Sequence, residues 1–189
     1  GFDKKNNSFK YNSVIPCGTN DDIKNTLLQY LISKNRKSKK EILDILKIIF
    51  DNIHFDYEKL ETHGNLLEIF TLLKKKNYKI AICTSDDREP TEKMIEISGI
   101  KHLIDSIACG DDSNKSKPSS EPIIKICNEL NIKTFETIMV GDTITDIQTA
   151  RNAKCCKSIS VLSGGFTKEE LKDTDIIIKN ISEIFTVIE

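Results

Sequence analysis

One stretch of the sequence decides the fold: Thr137-Ile-Met-Val-Gly-Asp-Thr-Ile-Thr-Asp-Ile-Gln-Thr-Ala-Arg-Asn-Ala153. It opens with Thr137–Val140, an apolar run with the length and composition of a buried β-strand. From about Thr145 to Ala153 the pattern becomes that of a helix. A buried strand that leads directly into a helix is the repeating unit of parallel sheets covered by helices on both faces.

The same alternation of strands and helices extends over the chain from Gly64 onward. Helices are predicted at Asn65–Lys76, Pro90–Ser98 and Glu121–Leu130, with a short one opened by a capping box at Thr167…Glu170. Further strands are predicted at Lys79–Cys83, Leu103–Cys109, Ser158–Leu162 and Asp175–Ile178. We therefore predict an α/β fold with a Rossmann-like parallel sheet, whose binding sites lie outside the carboxyl ends of the strands.

The first third of the chain has a different pattern. Residues 1–13 form a polar lead-in that is rich in Asn and Lys. Asn20–Lys34 and Ser38–Asn52 are both predicted as amphipathic helices, the second opened by a Ser38…Glu41 capping box. The expected organisation is thus a small helical module over residues 14–62, followed by an α/β core over residues 63–189.

Composition narrows the possible partners. The chain of 189 residues has 28 basic and 29 acidic side chains, a balance that removes the electrostatic case for a nucleic-acid partner. We expect no signal peptide and no membrane partner, since no apolar stretch is long enough to span a bilayer. The six cysteines show no C-x-x-C spacing and do not pair with the three histidines. This argues against zinc and indicates reduced thiols in a reducing, cytoplasmic compartment.

Two polar groups follow predicted strands that precede Thr137–Ala153 in the chain. Thr84 and Ser85 end the first strand, where hydroxyls and backbone N–H groups can bind a phosphate oxygen; the alternative is a helix cap. Lys117 precedes Pro118 at the end of a polar loop. A lysine there can neutralise a phosphoryl group, but Lys117 taken by itself is more simply one of many solvated lysines.

Asp142 and Asp146 form the third group. They lie four residues apart, so both fall on one face of the first helical turn. Paired carboxylates suit Mg²⁺, whereas the alternative is that Asp142 caps the helix and Asp146 complements its dipole. Because hydroxyl, lysine and carboxylates are all placed at the same edge of one parallel sheet, together they predict a phosphate site with a metal.

Three motifs resemble those of one family: Ile80–Ser85, Ser116–Pro122 and Met139–Ala153. Together with the closing stretches Val161–Thr167 and Asp175–Ile188, they make Gly64–Glu189 similar to the core of the haloacid-dehalogenase superfamily, in its phosphoglycolate-phosphatase-like branch with a helical cap. The resemblance implies an Mg²⁺-dependent phosphatase that hydrolyses a small phosphorylated metabolite through an aspartyl-phosphate intermediate.

The resemblance also implies a role for each of the motif residues. Asp142 would be a direct Mg²⁺ ligand, and Asp146 either a second ligand or a residue that supports the site. Thr84, with Ser85 beside it, would hold a phosphate oxygen, and Lys117 would stabilise the charge. The resemblance thus assigns catalytic or binding functions to all five residues.

The family's first motif, an apolar strand followed by Asp-x-Asp-x-Thr, does not occur in the 189 residues. Asp3 has Lys5 where the second aspartate should be, and Asp51 has Ile53 there. Asp51 also ends a run that continues the helical pattern before it. Two explanations stay open: an N-terminally shortened form of a working phosphatase, or a gene product that has lost its nucleophile. The second would be a non-catalytic phosphate- or partner-binding module, and a receiver-like signalling domain is a more distant alternative.

Overall fold

The computed structural model describes residues 17–34, 38–52, 57, 64–112 and 115–188, together with the backbone of two short N-terminal strands. These strands, β1 (Phe2–Asp3) and β2 (Ser8–Phe9), pair antiparallel with each other. The rest of the predicted polar lead-in lies outside the described residues.

Two helices precede the α/β part, as predicted: α1 (Asn20–Lys34) and α2 (Lys39–Asp51). The capping box at the start of α2 is confirmed, since the Ser38 N–H donates to the Glu41 carboxylate at 2.8 Å and the Glu41 N–H donates to Ser38 Oγ. Leu28, Ile42 and Leu46 are buried between the two helices. Within the described ranges, no helix has the length and apolar character needed to cross a membrane.

The remainder alternates between strand and helix and confirms the α/β prediction. The helices are α3 (Leu66–Lys75), α4 (Arg88–Ile97), α5 (Glu121–Leu130) and α6 (Ile144–Ala153). The strands are β3 (Ala81–Cys83), β4 (Ser106–Ala108), β5 (Ile138–Gly141), β6 (Lys157–Val161) and β7 (Ile176–Ile178).

The parallel strands form two ladders. β3 pairs with β4, and β5 pairs with β6, which pairs in turn with β7. Among the described residues, no ladder joins β3 to β5. Helix α5 nevertheless packs on both, because its Ile123 and Cys127 share an apolar cluster with Cys83 of β3 and Met139 of β5. Helix α5 therefore bridges the two ladders.

Two local predictions are wrong. Thr167 and Glu170 make the hydrogen bonds of a capping box, but residues 168–173 form a turn and no helix. The Leu171 N–H donates to the Thr167 carbonyl, but the Thr174 N–H then donates to the Leu171 carbonyl, so the segment closes in successive turns. Leu103 lies in a 3₁₀ turn instead of a strand, since Asp105, which accepts the Ile80 N–H at 2.7 Å, fixes where β4 can begin.

Candidate active site

A buried ion pair between Lys117 and Asp146 lies at the centre of the site. Lys117 Nζ is 2.6 Å from Asp146 Oδ1, and the two side chains are only 10% and 7% exposed. Burial by itself lowers the pKa of Lys117, but the Asp146 carboxylate more than offsets it, and the pKa lies above the ordinary 10.5. The lysine is therefore charged at neutral pH, at the carboxyl edge of the sheet.

The second oxygen of Asp146 organises the start of helix α6. Oδ2 accepts from the Asp142 N–H at 3.1 Å, the Thr143 N–H at 3.0 Å and Thr143 Oγ1 at 2.8 Å. Thr143 is the N-cap and accepts in return from the Asp146 N–H. The alternative in which Asp142 caps this helix is therefore wrong, and its carboxylate is not used as the cap.

Both carboxylates lie against glycines. A Cβ built on Gly141 would lie 2.5 Å from Asp146 Cβ, and one built on Gly164 would lie 2.5 Å from Asp142 Cγ. Real Cβ atoms essentially never approach other atoms so closely. Each carboxylate thus occupies space that a side chain on the neighbouring glycine would need.

Thr84 and Ser85 lie at the end of β3, next to this centre. The Thr84 hydroxyl donates to Asp86 Oδ2 at 2.9 Å and accepts from the Asp86 N–H. The predicted alternative of a helix cap at these residues is wrong, because the N-cap of α4 is Asp87. Burial raises the pKa of the preceding Cys83 thiol to about 11, which Lys117 partly opposes. The end of β3 therefore lies within the electrostatic reach of Lys117.

Helix α1 meets the core at the same edge. Asn20 Nδ2 donates to Asp87 Oδ2 at 2.7 Å, and a Cβ on Gly110 would lie 3.1 Å from Thr19 Cγ2. The sequence analysis did not identify these contacts. No local signal could have revealed them, since Asn20 and Asp87 are 67 residues apart.

A second acidic cluster lies at the end of β4. Ligand atoms of Cys109, Asp111 and Asp112 come within 4.8 Å of one another. Asp112, however, accepts from Arg88 Nε at 2.8 Å, from Lys125 Nζ at 3.1 Å and from the Cys109 N–H at 2.9 Å. Because a guanidinium and an ammonium already neutralise it, this cluster fits a role in holding the loop better than a role as a cation site.

This network predicts a pH-dependent stability. The hydrogen bond from Arg88 holds the pKa of Asp112 well below its ordinary 3.8. A carboxylate with a depressed folded-state pKa stabilises the fold above its unfolded pKa and loses that contribution as the pH falls below it. We expect Asp112→Asn to lower the free energy of unfolding by about 1–2 kcal/mol at neutral pH, since Arg88 is 35% exposed and partly screened.

Urea denaturation at several pH values checks this prediction. The difference between parent and Asp112→Asn should shrink as the pH falls from about 5 toward 3. Glu169→Gln is the control, because Glu169 is 81% exposed and its pair with Lys172 should contribute almost nothing. A difference that stays constant over this range would contradict the assignment of Asp112.

Comparisons with known sequences point to one family. The sequence profile of the haloacid dehalogenase-like hydrolases matches residues 11–161. The pyrophosphatase PpaX of Halalkalibacterium halodurans is 37% identical over 101 residues, which are 53% of this chain and 47% of that protein. PpaX of Bacillus mycoides is 31% identical over 159 residues, 82% of this chain and 73% of that one. The chain thus spans about half to three quarters of these relatives.

Solved structures share the fold at lower identity. A predicted phosphoglycolate phosphatase from Haemophilus somnus 129PT superposes with a TM-score of 0.73 at 17% identity, covering 93% of this chain and 79% of that one. A hydrolase from Pseudomonas syringae gives 0.71 at 18% identity, covering 92% and 78%. Given this fold, the profile match and the Bacillus relative, the chain belongs to the haloacid dehalogenase-like hydrolase family.

Proposed function

We propose that this protein hydrolyses a small phosphate monoester with the help of Mg²⁺ through an aspartyl-phosphate intermediate. One observation carries the proposal: a buried lysine, kept charged by Asp146, lies at a strand end together with a second carboxylate, Asp142. A fixed cation beside a carboxylate suits the transfer of a phosphoryl group, because such catalysis consists largely of positioning and charge stabilisation.

Hydrogen bonds already engage both oxygens of Asp146, so a supporting role suits this residue better than direct binding of Mg²⁺. Both oxygens of Asp146 accept hydrogen bonds, one from Lys117 and the other from Asp142 and Thr143. We therefore propose Asp146 as the residue that orients Lys117 and the Asp142 backbone. Asp142, the first residue past β5, is proposed as the direct ligand because its place in the motif implies that role. Magnesium prefers few carboxylates and several waters, and when bound it would neutralise charge on the phosphate oxygens.

Lys117 and the end of β3 would bind the phosphate. The Lys117 ammonium supplies a positive charge whose position is fixed by Asp146. Thr84 would exchange its hydrogen bond with Asp86 for one to a phosphate oxygen, and Ser85 offers a second hydroxyl at the same edge. Helices α1 and α2 would belong to a cap over residues 14–62 that closes on the substrate from the side where Asn20 contacts Asp87.

The attacking aspartate would follow a parallel strand lying between β3 and β5. Each of these strands has a parallel partner on one side only among the described residues, while α5 packs on both. A strand inserted there would end at the same edge as Lys117. Asp51 does not suit this role, because it is an exposed residue at the end of helix α2, and Asp3 lies in the antiparallel pair β1–β2.

The substrate would be a small phosphorylated compound. The relatives named pyrophosphatase PpaX and the fold neighbour titled a predicted phosphoglycolate phosphatase support this class. A second candidate, a non-catalytic module that binds phosphate or a protein partner, is favoured by one observation: the 189 residues contain no Asp-x-Asp-x-Thr motif.

Hydrolysis assays test the proposal. Release of phosphate from p-nitrophenyl phosphate and from pyrophosphate should be measured with Mg²⁺ and with EDTA, on this chain and on any longer product of the gene. We expect hydrolysis only with Mg²⁺ and only in a form that carries the attacking aspartate. In that form Asp142→Asn should lower the rate by about 100-fold or more, since loss of even a residue that only supports a metal ligand lowers metal affinity or activity by about 10–100-fold. Asp44→Asn, on an exposed face of α2, is the matched control.

The outcomes separate the two candidates. Activity that persists in EDTA would contradict the role of Mg²⁺. No hydrolysis by either form, with phosphate still bound, would instead support the non-catalytic module.

A further inference from the structure

The loop after β6 forms one wall of the Asp142 site. Strands β5 and β6 run parallel with Gly141 opposite Ser160, so the chain leaves both strands at the same edge. Asp142 is the first residue past β5. Leu162–Gly164 is a 3₁₀ turn directly past β6, and it brings Gly164 against the Asp142 side chain.

The contact at Gly164 is too close for any side chain. A Cβ built there would lie 2.5 Å from Asp142 Cγ, and it would approach both Oδ2 and Cβ of Asp142 more closely still. Rotation of the carboxylate could move Cγ and Oδ2 away, but it leaves Cβ in place. A methyl group at residue 164 would therefore displace the backbone of Asp142 or of the loop.

We infer that Gly164 is a positioning residue for Asp142: its lack of a side chain lets the carboxylate lie against the loop after β6 and fixes the place of its oxygens. The inference rests on the proposed function, in which Asp142 holds the metal. It assigns a role to a loop residue outside the strand-end motifs that carry Lys117, Asp142 and Asp146.

The adjacent glycine provides a matched control. Gly165 has a φ of +88°, in the left-handed region that penalises residues with a side chain, but a Cβ there would meet nothing within 4 Å. Gly164 is not among the glycines with positive φ. Alanine at 165 thus strains the backbone without a close contact, whereas alanine at 164 is placed against the Asp142 side chain.

Binding of Mn²⁺ alone, followed by the EPR signal of the free ion, tests the inference on this chain and on any longer product of the gene. Gly164→Ala should weaken Mn²⁺ binding by about tenfold or more, approaching Asp142→Asn. Gly165→Ala should retain the parent affinity while its Tm falls by about 2–4 °C or somewhat more. In an active form, Gly164→Ala should raise the Mg²⁺ concentration needed for half-maximal rate.

Parent-like Mn²⁺ binding by Gly164→Ala would overturn the inference and leave the proposed function standing. Absence of Mn²⁺ binding by the parent in every form would overturn the metal role of Asp142 itself, and the inference with it. If Gly164→Ala folds poorly, a double-mutant cycle tests the contact with Asp142. The Tm loss caused by Gly164→Ala should be smaller when Asp142 is replaced by glycine, because the atoms that the new methyl group meets are then absent. An equal Tm loss in both backgrounds would overturn the contact.

Discussion

Replacement of Lys117 by methionine is expected to abolish the proposed hydrolysis and to lower the free energy of unfolding by about 3–5 kcal/mol. Methionine keeps most of the length of the side chain but removes its charge. Asp146, only 7% exposed, would then hold a buried carboxylate without its cation partner. Urea denaturation and the p-nitrophenyl phosphate assay measure the two effects on the same protein.

Lys115→Met is the matched control for this prediction. Lys115 lies two residues earlier and pairs with Glu121 at 2.9 Å, but its side chain is 68% exposed. Exposed pairs contribute little, so the free energy of unfolding should stay close to that of the parent. Adding Asp146→Asn to Lys117→Met should recover part of the lost stability, since it removes the unpaired charge. Equal losses in Lys115→Met and Lys117→Met would contradict a buried pair.

Gly141→Ala is expected to lower both the stability of the fold and the rate of the proposed hydrolysis. The new methyl group would lie 2.5 Å from Asp146 Cβ, which cannot rotate away, so the start of helix α6 must shift. Overpacking of this kind costs about 1–3 kcal/mol of stability. A displacement of about 1 Å at a catalytic group can cost about 100-fold in rate, and we expect a fall in kcat of that order.

Gly99→Ala separates the two contributions to this effect. Gly99 has a φ of +69° and open space where a Cβ would be, so alanine there strains the backbone without touching the site. It should lower the Tm while kcat stays within about twofold of the parent value. Parent-like kcat in Gly141→Ala would show that Asp146 does not depend on this close approach.

Local signals predicted most of the fold. The bounds of α1 agree with the prediction, and the capping box at Ser38 marks the start of α2 because its hydrogen bonds are made within four residues. The prediction of a short helix at Thr167 was wrong, because a capping box alone does not determine the structure of the residues after it. The capping hydrogen bonds form, but the backbone hydrogen bonds of Leu171 and Thr174 that follow close turns instead of a helix.

The site was predicted in part. The rule that parallel strands present ligands at their carboxyl ends placed Lys117, Asp142 and Asp146 at one edge, where the structure has Lys117 in contact with Asp146. The sequence could not show that Thr143, not Asp142, caps helix α6, since both residue types cap helices well.

Other contacts could not be predicted because their partners are distant in sequence. Arg88 and Asp112 are 24 residues apart. The need for a glycine at residue 164 arises from the Asp142 side chain, which follows a different strand, β5. The boundaries of the helical module, residues 14–62, stay predictions, and the sequence assigns no residue as the nucleophile.

A crystal structure with Mn²⁺ and tungstate bound tests the central claim most directly, because both heavy atoms can be located by anomalous scattering. The account predicts Mn²⁺ at the Asp142 carboxylate and tungstate beside Lys117 Nζ, at the edge where β3 and β5 end. Mn²⁺ bound at Cys109, Asp111 and Asp112, with neither ion near Asp142 or Lys117, would contradict it.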